Sequence, residues 1–487
     1  MKFSNMAASI VSGWILALFM ITAASAEPGY PHPETYLPTP AEVEKAKTLL
    51  NDPRSLVGGK YDPRNLLPPE LKDKFFFDAE KMKELWAEVV GFRSPDVVGK
   101  IAPEIKPGHY TYKDLDKYPG LKELMVPYLY ESIKPGEPPF AGNMPEFEIV
   151  PPRQLYWALP VAQATKQNKG KTKLDKAGYI IEDTWEAGYP FPQPSGEFKA
   201  QQYVYNHEKR YEFDGGNFWM VLQSVGVERR LSIDQASKGT VRSMRLKGRC
   251  FVEPYGWLDA QAEDRGEYII NIAFMLEPRD LYGAIMAQTF MAPADKQHQN
   301  LMYIPGLRRF RKLSATDSQD PVFGSDQIVD DTGFFWQKLS PDRYPYEYRI
   351  VEDREFLIPT LYDGTECVNR ENNFEFRGIR MERRPIVVIE LNQQDRSYVY
   401  GKRLFYVDKE TFQLRFVMNY DQKGRLYRTN TALFYFEPQF GQPIGWFGFC
   451  LYRDHIDLHS GIVLSYVIPA VYSRKDMGLG AMAAMAK

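Results

Sequence analysis

Leu301 to Lys312 reads LMYIPGLRRFRK and places four cations within five residues. Arg308, Arg309, Arg311 and Lys312 are interleaved with Leu307 and Phe310, after Tyr303 and the Pro305-Gly306 break. A guanidinium forks a phosphate or carboxylate with two N–H donors. The combination therefore suits an anionic head group, or an acidic partner, beside an apolar tail. Read as one strand, alternation puts Arg309 and Arg311 with Tyr303, and Arg308 and Lys312 with Phe310. Tyr303 and Phe310 are then expected to border an apolar hollow. An edge strand guarded by charge against aggregation would use the same residues. Nucleic acid would as well, but 61 Lys+Arg stand against 63 Asp+Glu, a formal net charge of −2. That balance gives nucleic acid no global field, so it is not an expected partner.

Other chemistry is thinly represented. His455 and His459 lie four apart with Asp454 and Asp457 beside them, which could seed a metal site on a strand or a helix. No third ligand is identifiable, and solvated histidines on a polar face are the alternative. Asp326, Asp330 and Asp331 could suggest calcium, but the spacing, Gly and terminal Glu of a calcium loop are missing, so a polar loop is expected. The chain has no GxSxG, Walker A, HExxH or strand-linked GxGxxG. No cofactor is implied. Cys250, Cys367 and Cys450 are widely spaced; one disulfide is possible in an oxidising compartment, and buried free thiols are the expectation.

The elements that must position these residues fall into three parts. Residues 1–26 read as a secretory signal peptide: Lys2, an apolar run from Ile10 to Ile21, and a small-x-small site at Ala24-Ser25-Ala26. The apolar run is shorter than the ~20 residues a spanning helix needs. Removing Lys2 with the peptide leaves 60 Lys+Arg against 63 Asp+Glu, a charge of −3. Residues 27–180 are Pro-rich and partly helical. Helices are expected after Thr39-Pro40-Ala41-Glu42, over Ala79 to Val90 between Asp78 and Gly91, and over Leu121 to Glu131. From about residue 200 the period changes to two. Strands are expected around 241–252, 267–276, 282–291, 399–407, 412–420 and 425–436, with turns at 277–280, 408–411 and 421–424. No helical crossovers separate them, so residues 181–487 are expected to form an antiparallel sheet. The aromatic content, 31 Tyr, 30 Phe and 8 Trp, favours pleated surfaces.

Three stretches in order carry a resemblance. They are Gly188-Tyr189-Pro190-Phe191-Pro192, with Gly196 and Tyr205-Asn206; Tyr303 to Arg311, trailing to Asp320-Pro321 and Asp330; and Tyr400 to Thr411, YGKRLFYVDKET. Together they resemble the exported bacterial family known as domain of unknown function thirteen twenty-nine, over roughly residues 180–470. That family is similar to outer-membrane lipoprotein-sorting (LolA/LolB-like) proteins. The resemblance implies a mainly β (α+β) fold: a strongly curved antiparallel sheet, an open half-barrel with plugging helices. It implies a carrier of acyl chains rather than an enzyme. It also implies an RND/MMPL efflux-type transporter and an outer-membrane protein as partners.

The residues and the resemblance agree on export, an antiparallel sheet, aromatic excess and missing catalytic motifs. The expected function is a periplasmic carrier or adaptor for a lipid or other hydrophobic ligand. Tyr303, Arg308, Arg309, Phe310 and Arg311 are its candidate ligand- or partner-binding residues. The alternatives are an exported hydrolase or polysaccharide-active enzyme, and a structural component of an envelope complex.

Overall fold

The computed structural model describes residues 67, 69–135, 143–211, 218–227, 233–313, 319, 327–331, 338–340, 345–359, 368–369, 375–441 and 447–485. The expected signal peptide, the helix after Thr39, Asp320-Pro321, Asp326 and Cys367 lie outside them.

Fifteen strands build one sheet. In chain order they are β1 (Gly108–Thr111), β2 (Glu146–Val150), β3 (Phe218–Val227), β4 (Ile233–Arg245), β5 (Glu267–Glu277), β6 (Ile285–Met291), β7 (Gln299–Ile304), β8 (Arg309–Leu313), β9 (Tyr346–Pro359), β10 (Ile379–Gln393), β11 (Lys402–Asp408), β12 (Leu414–Tyr420), β13 (Leu426–Phe434), β14 (Phe447–Asp454) and β15 (Ser460–Pro469). The order across the sheet is β1-β2-β10-β11-β12-β13-β14-β15-β3-β4-β5-β6-β7-β8, with β9 also on β10. Every pair is antiparallel except β2 with β10. β9 takes one edge of β10 along 381–393, so β2 (on 379–382) and β11 (on 386–392) share the other edge end to end. Thus β1 and β2, which precede residue 180, belong to the same sheet. β8 and β9 end the meander without pairing to each other among the described residues, so the sheet stays open. It is the mainly β architecture, a sheet not closed into a barrel with helices against it, that the resemblance implied.

The helices pack around this sheet. They are α1 (Pro69–Phe75), α2 (Ala79–Val90), α3 (Ser94–Val97), α4 (Gly120–Leu124), α5 (Pro127–Ile133), α6 (Leu159–Asn168), α7 (Lys199–Glu208), α8 (Ala260–Arg265) and α9 (Leu479–Met485). α2 forms where the sequence places it. Asp78 caps it by accepting from the Lys81 N–H at 2.8 Å, and Gly91, at φ +90°, closes it by donating to Ala87 O. Met82, Trp86, Val89 and Val90 make its buried face. The single helix expected over 121–131 is instead two. Proline has no N–H, and the residue before it avoids the helical region. Val126 is accordingly extended (ψ 130°) and Pro127 starts α5. The break lets Met125 bridge to Leu357 on the outer edge of β9.

One apolar core runs through the molecule from Leu67 to Met482, joining these helices to the sheet. Its centre is aromatic. The Tyr189 ring centroid lies 4.9 Å from Trp157, 5.8 Å from Trp86, 5.9 Å from Tyr211 and 5.1 Å from Phe412. Gly188 permits this: its φ is +79°, and a Cβ there would lie 2.4 Å from the Thr165 nitrogen. A second, smaller cluster of Phe218, Val241, Ala432, Phe434 and Val467, with Ala273 against it, stands apart from that core.

Candidate functional site: an apolar sheet face between a basic hairpin and a buried arginine

The stretch read as one strand is a hairpin. β7 ends at Ile304, Pro305–Leu307 form a single tight turn, and Arg308 takes a left-handed conformation (φ 47°) before β8. The chain therefore reverses, and the alternation expected from 303 to 312 does not hold. Phe310 pairs directly with Tyr303, and their rings lie 4.9 Å apart on one face, with Leu301 and Lys312. Arg309 and Arg311 occupy the other face, opposite Ile304 and Met302. Arg308, Arg309, Arg311 and Lys312 are exposed, as are Leu307 (53%) and Phe310 (37%). Tyr282, 60% exposed, is close by, because the β5–β6 turn at Gly283 abuts Pro305. β8 is a terminal strand, the position for which edge-guarding charges are suited.

The register carries the Arg311 face inward. Arg311 is opposite Met302, Met302 opposite Met286, Met286 opposite Ala273, and Ala273 opposite Val241. Across β3 the same row reaches Val467. Directly opposed residues share a face. The row thus joins the basic edge to the small apolar cluster, whose members Phe218, Ala432 and Phe434 share that face. Met286, Met302, Ala273 and Val463 are only half-buried there, while Phe434 and Val467 are buried. Asn271 Oδ1, Asn300 Oδ1 and Ser465 Oγ, on the same face, are buried without a hydrogen-bond partner among the described residues.

A buried ionic group lies at the end of β11. Arg384 is fully buried and binds three carboxylates: Asp408 through Nε at 2.8 Å, Glu410 through Nη2 at 2.7 Å, and Glu382 through Nη1 at 3.3 Å. Glu410 also accepts from the Ser94 and Leu155 N–H groups, both at 2.8 Å. Trp86 Nε1 donates to Glu410 O and Trp157 Nε1 to Thr411 O. Burial pushes the Asp408 carboxyl up, but Arg384 and Arg415 outweigh it and hold it below the usual range. At Glu410 burial prevails over Arg384 and raises the carboxyl. The turn at 408–411 is thereby a clasp that ties α2, α3 and α6 to the sheet.

A second ionic group links two of the motif stretches. Asp331 pairs with Arg403 at 2.7 Å and accepts from the Tyr400 hydroxyl, while Asp330 accepts from Tyr398 at 2.7 Å. Arg403 Nε donates to Asn419, and Arg428 pairs with Asp454. The Asp330-Asp331 pair is thus buried and committed to this network. His455 and His459 sit in the turn between β14 and β15 rather than on a strand. The His455 Nε2 is 3.1 Å from Thr429 Oγ1, and its ring stands edge-on to Tyr128 at 5.0 Å. Among the described residues no three His, Cys, Asp or Glu side chains gather as metal ligands. Cys250 and Cys450 are free, with burial pushing both thiols up to about 12.

Sequence reasoning missed the Arg384 clasp and the Arg415 beside it. The signal was present: Glu382-Arg383-Arg384 runs straight into the apolar Pro385-Ile386-Val387-Val388-Ile389, and charges in a buried strand require partners. Of the three motif stretches, the first meets in the core, through Tyr189, the Phe412 that directly follows the third. Asn206 holds the first by accepting from Phe191 N and donating to Phe191 O. The hairpin of the second is exposed.

The sheet is open, and one of its faces carries an apolar row. Residues 135–470 match the family model described as Protein of unknown function (DUF1329), and the chain belongs to that family. An uncharacterized protein of Pseudomonas aeruginosa is 24% identical over 302 residues, 59% of this chain and 61% of that protein. The chain thus spans about three fifths of that relative's length. A solved DUF1329 family protein from Desulfovibrio piger is similar at TM-score 0.37 and 12% identity, covering 55% of this chain and 92% of the other. A LolA superfamily protein from Nitrosomonas europaea is similar at TM-score 0.35 and 14% identity, over 58% of this chain and 98% of the other.

Proposed function

We propose that this protein carries a lipid or other hydrophobic molecule through the periplasm, without catalysing a reaction. One observation carries the reading: the apolar row Met302, Met286, Ala273, Val241 and Val467, half-buried at Met302, Met286 and Ala273, which crosses the open sheet and ends at the exposed Arg311. Moving each CH₂ of an alkyl chain from water onto such a face gains about 0.8 kcal/mol. Methionines adapt to chains of different shape. The hairpin supplies the docking end in this reading. Arg308, Arg309 and Arg311 meet an acidic patch on a partner, while Tyr303, Phe310 and Leu307 add apolar contact. An efflux-type RND/MMPL transporter in the inner membrane is the proposed partner on one side, and an outer-membrane protein on the other.

Native mass spectrometry of protein purified from the envelope, before and after delipidation, tests the carrier role. A bound hydrophobic mass that is lost on delipidation and regained from an envelope lipid extract is expected. Protein that leaves the cell bare and takes up nothing from the extract contradicts it, and turnover on an esterase or glycoside panel would point to the hydrolase alternative.

A further inference from the structure

β8 is open to solvent on both faces and along one edge. It pairs with β7 over Arg309 to Leu313, and among the described residues its other edge carries no strand. Residues 306–312 are all exposed, whereas residues 301–304 of β7 are half-buried, so the ribbon steps out of the core at its last strand. An edge strand offers a row of unpaired N–H and C=O groups. Exposed cations elsewhere on the sheet are matched: Arg349 pairs with Glu390 at 2.7 Å, Arg377 with Glu375 at 3.0 Å, and Arg425 with Asp421 at 2.7 Å. Among the described residues, none of Arg308, Arg309, Arg311 and Lys312 pairs with a carboxylate. Their mutual repulsion opposes the strand that holds them, and an external anion would relieve it. Charge alone would suffice to guard the edge. A guard has no use for the exposed Leu307, Phe310 and Tyr282, which invite the contact that guarding prevents.

We propose that β8 is a strand-addition site, where an extended acidic segment of a partner protein pairs with the free edge and continues the sheet. The proposal rests on the docking role of the hairpin in the carrier reading and specifies the chemistry of what docks there. Backbone hydrogen bonds give such addition its affinity, and alternate side chains its specificity. Directly opposed residues share a face. The partner residues opposite Arg309 and Arg311 are therefore acidic, on the face those arginines share. On the other face, the residue opposite Phe310 is apolar and the one opposite Lys312 acidic. Read from Arg309 to Lys312, the segment is acid, apolar, acid, acid.

The test measures binding of fluorescent, blocked peptides to the full chain purified from the envelope, by anisotropy. The probes carry the core Glu-Val-Glu-Glu or its reversal, one for each strand direction, between threonines. One of them is expected to bind at least tenfold more tightly than its shuffle Glu-Glu-Glu-Val or Val-Glu-Glu-Glu, which has the same charge. Successive N–H groups of a strand point to opposite edges. N-methylation of alternate amides is thus expected to cost tenfold or more in one phase and little in the other. Arg309→Glu with Arg311→Glu is expected to lose the acidic probe and to bind the matching core Lys-Val-Lys-Glu, or its reversal, instead. Should that variant fail to fold, the two N-methylated phases on the wild type still decide. Equal binding of probe and shuffle, or of both N-methylated phases, overturns strand addition and leaves plain charge attraction. Vesicles containing phosphatidylglycerol form the other arm; wild-type protein that binds them and no peptide overturns the proposal in favour of a membrane surface. Lipid occupancy is measured on the same preparations. Peptide binding absent with lipid present overturns strand addition and leaves the carrier reading standing, whereas protein bare of lipid contradicts the carrier reading whatever the peptides do.

Discussion

At the residue scale, the clasp around Arg384 makes a strong demand on stability. Replacing it by Met leaves Asp408, Glu410 and Glu382 buried together without their shared counter-ion. Breaking a buried ionic group from one side costs about 3–5 kcal/mol. Arg384→Met is therefore expected to lower the urea midpoint by that equivalent, and an unchanged midpoint would contradict the clasp. His455 gives a second expectation. Burial and the neighbouring Arg453 push its pKa down to about 4, against the pull of Asp454. The ordinary value is about 6.5, so between the two the unfolded chain binds the extra proton. Stability should then fall as pH drops from about 6.5 to about 4, by roughly 3 kcal/mol from this residue. His455→Gln should flatten that part of the stability–pH curve, measured by urea titration at each pH.

At the element scale, what the sequence made legible were features with local causes. α2 was readable from Asp78, Gly91 and its apolar spacing, and the β11–β12–β13 meander from its polar turns. The break at Pro127 was equally local, since proline carries a direct steric consequence, yet an apolar rhythm on both sides masked it. The hairpin was misread for another reason. Its two strands are short, and periodicity cannot reveal where a chain turns back; the Pro305-Gly306 pair was the only sign. The reversal sharpens the docking test. Arg309→Glu with Arg311→Glu alters the face continuous with the apolar row, whereas Arg308→Glu with Lys312→Glu alters the turn and the opposite face. The first pair is expected to reduce partner capture tenfold or more in envelope pull-downs at matched folded fraction; the loss of a charge-assisted bond, about 1.5–3 kcal/mol, sets that scale. If both pairs only lower solubility, the cations guard the β8 edge and the docking role falls.

At the scale of the whole molecule, the sequence conveyed β architecture and the lack of catalytic motifs, and export is its expectation. It did not convey the face on which an apolar row would assemble. That row draws on five strands, each contributing one residue, and only register brings them together. The ionic clasp is hidden similarly, because Glu410 accepts from Ser94 and Leu155, and Glu382 from Arg153, from more than 200 positions away in the chain. Export itself is open to a direct check. Envelope material is expected to begin at Glu27 by intact mass and to be released without detergent; a chain that retains Met1 would place the protein elsewhere.

The position of β15 between β14 and β3 has a consequence in time. A chain made from its N-terminus presents residues 218–227 long before residues 460–469, their neighbours, exist. Similarly, residues 146–150 must wait for 379–382. Non-local pairings of this kind slow the search for the native state. For that interval β3 and β4 offer one unmatched edge to any other strand in reach. The last tenth of the polypeptide thus works as a closing piece, and a transcript cut short before it would yield an adhesive fragment rather than a smaller version of the sheet.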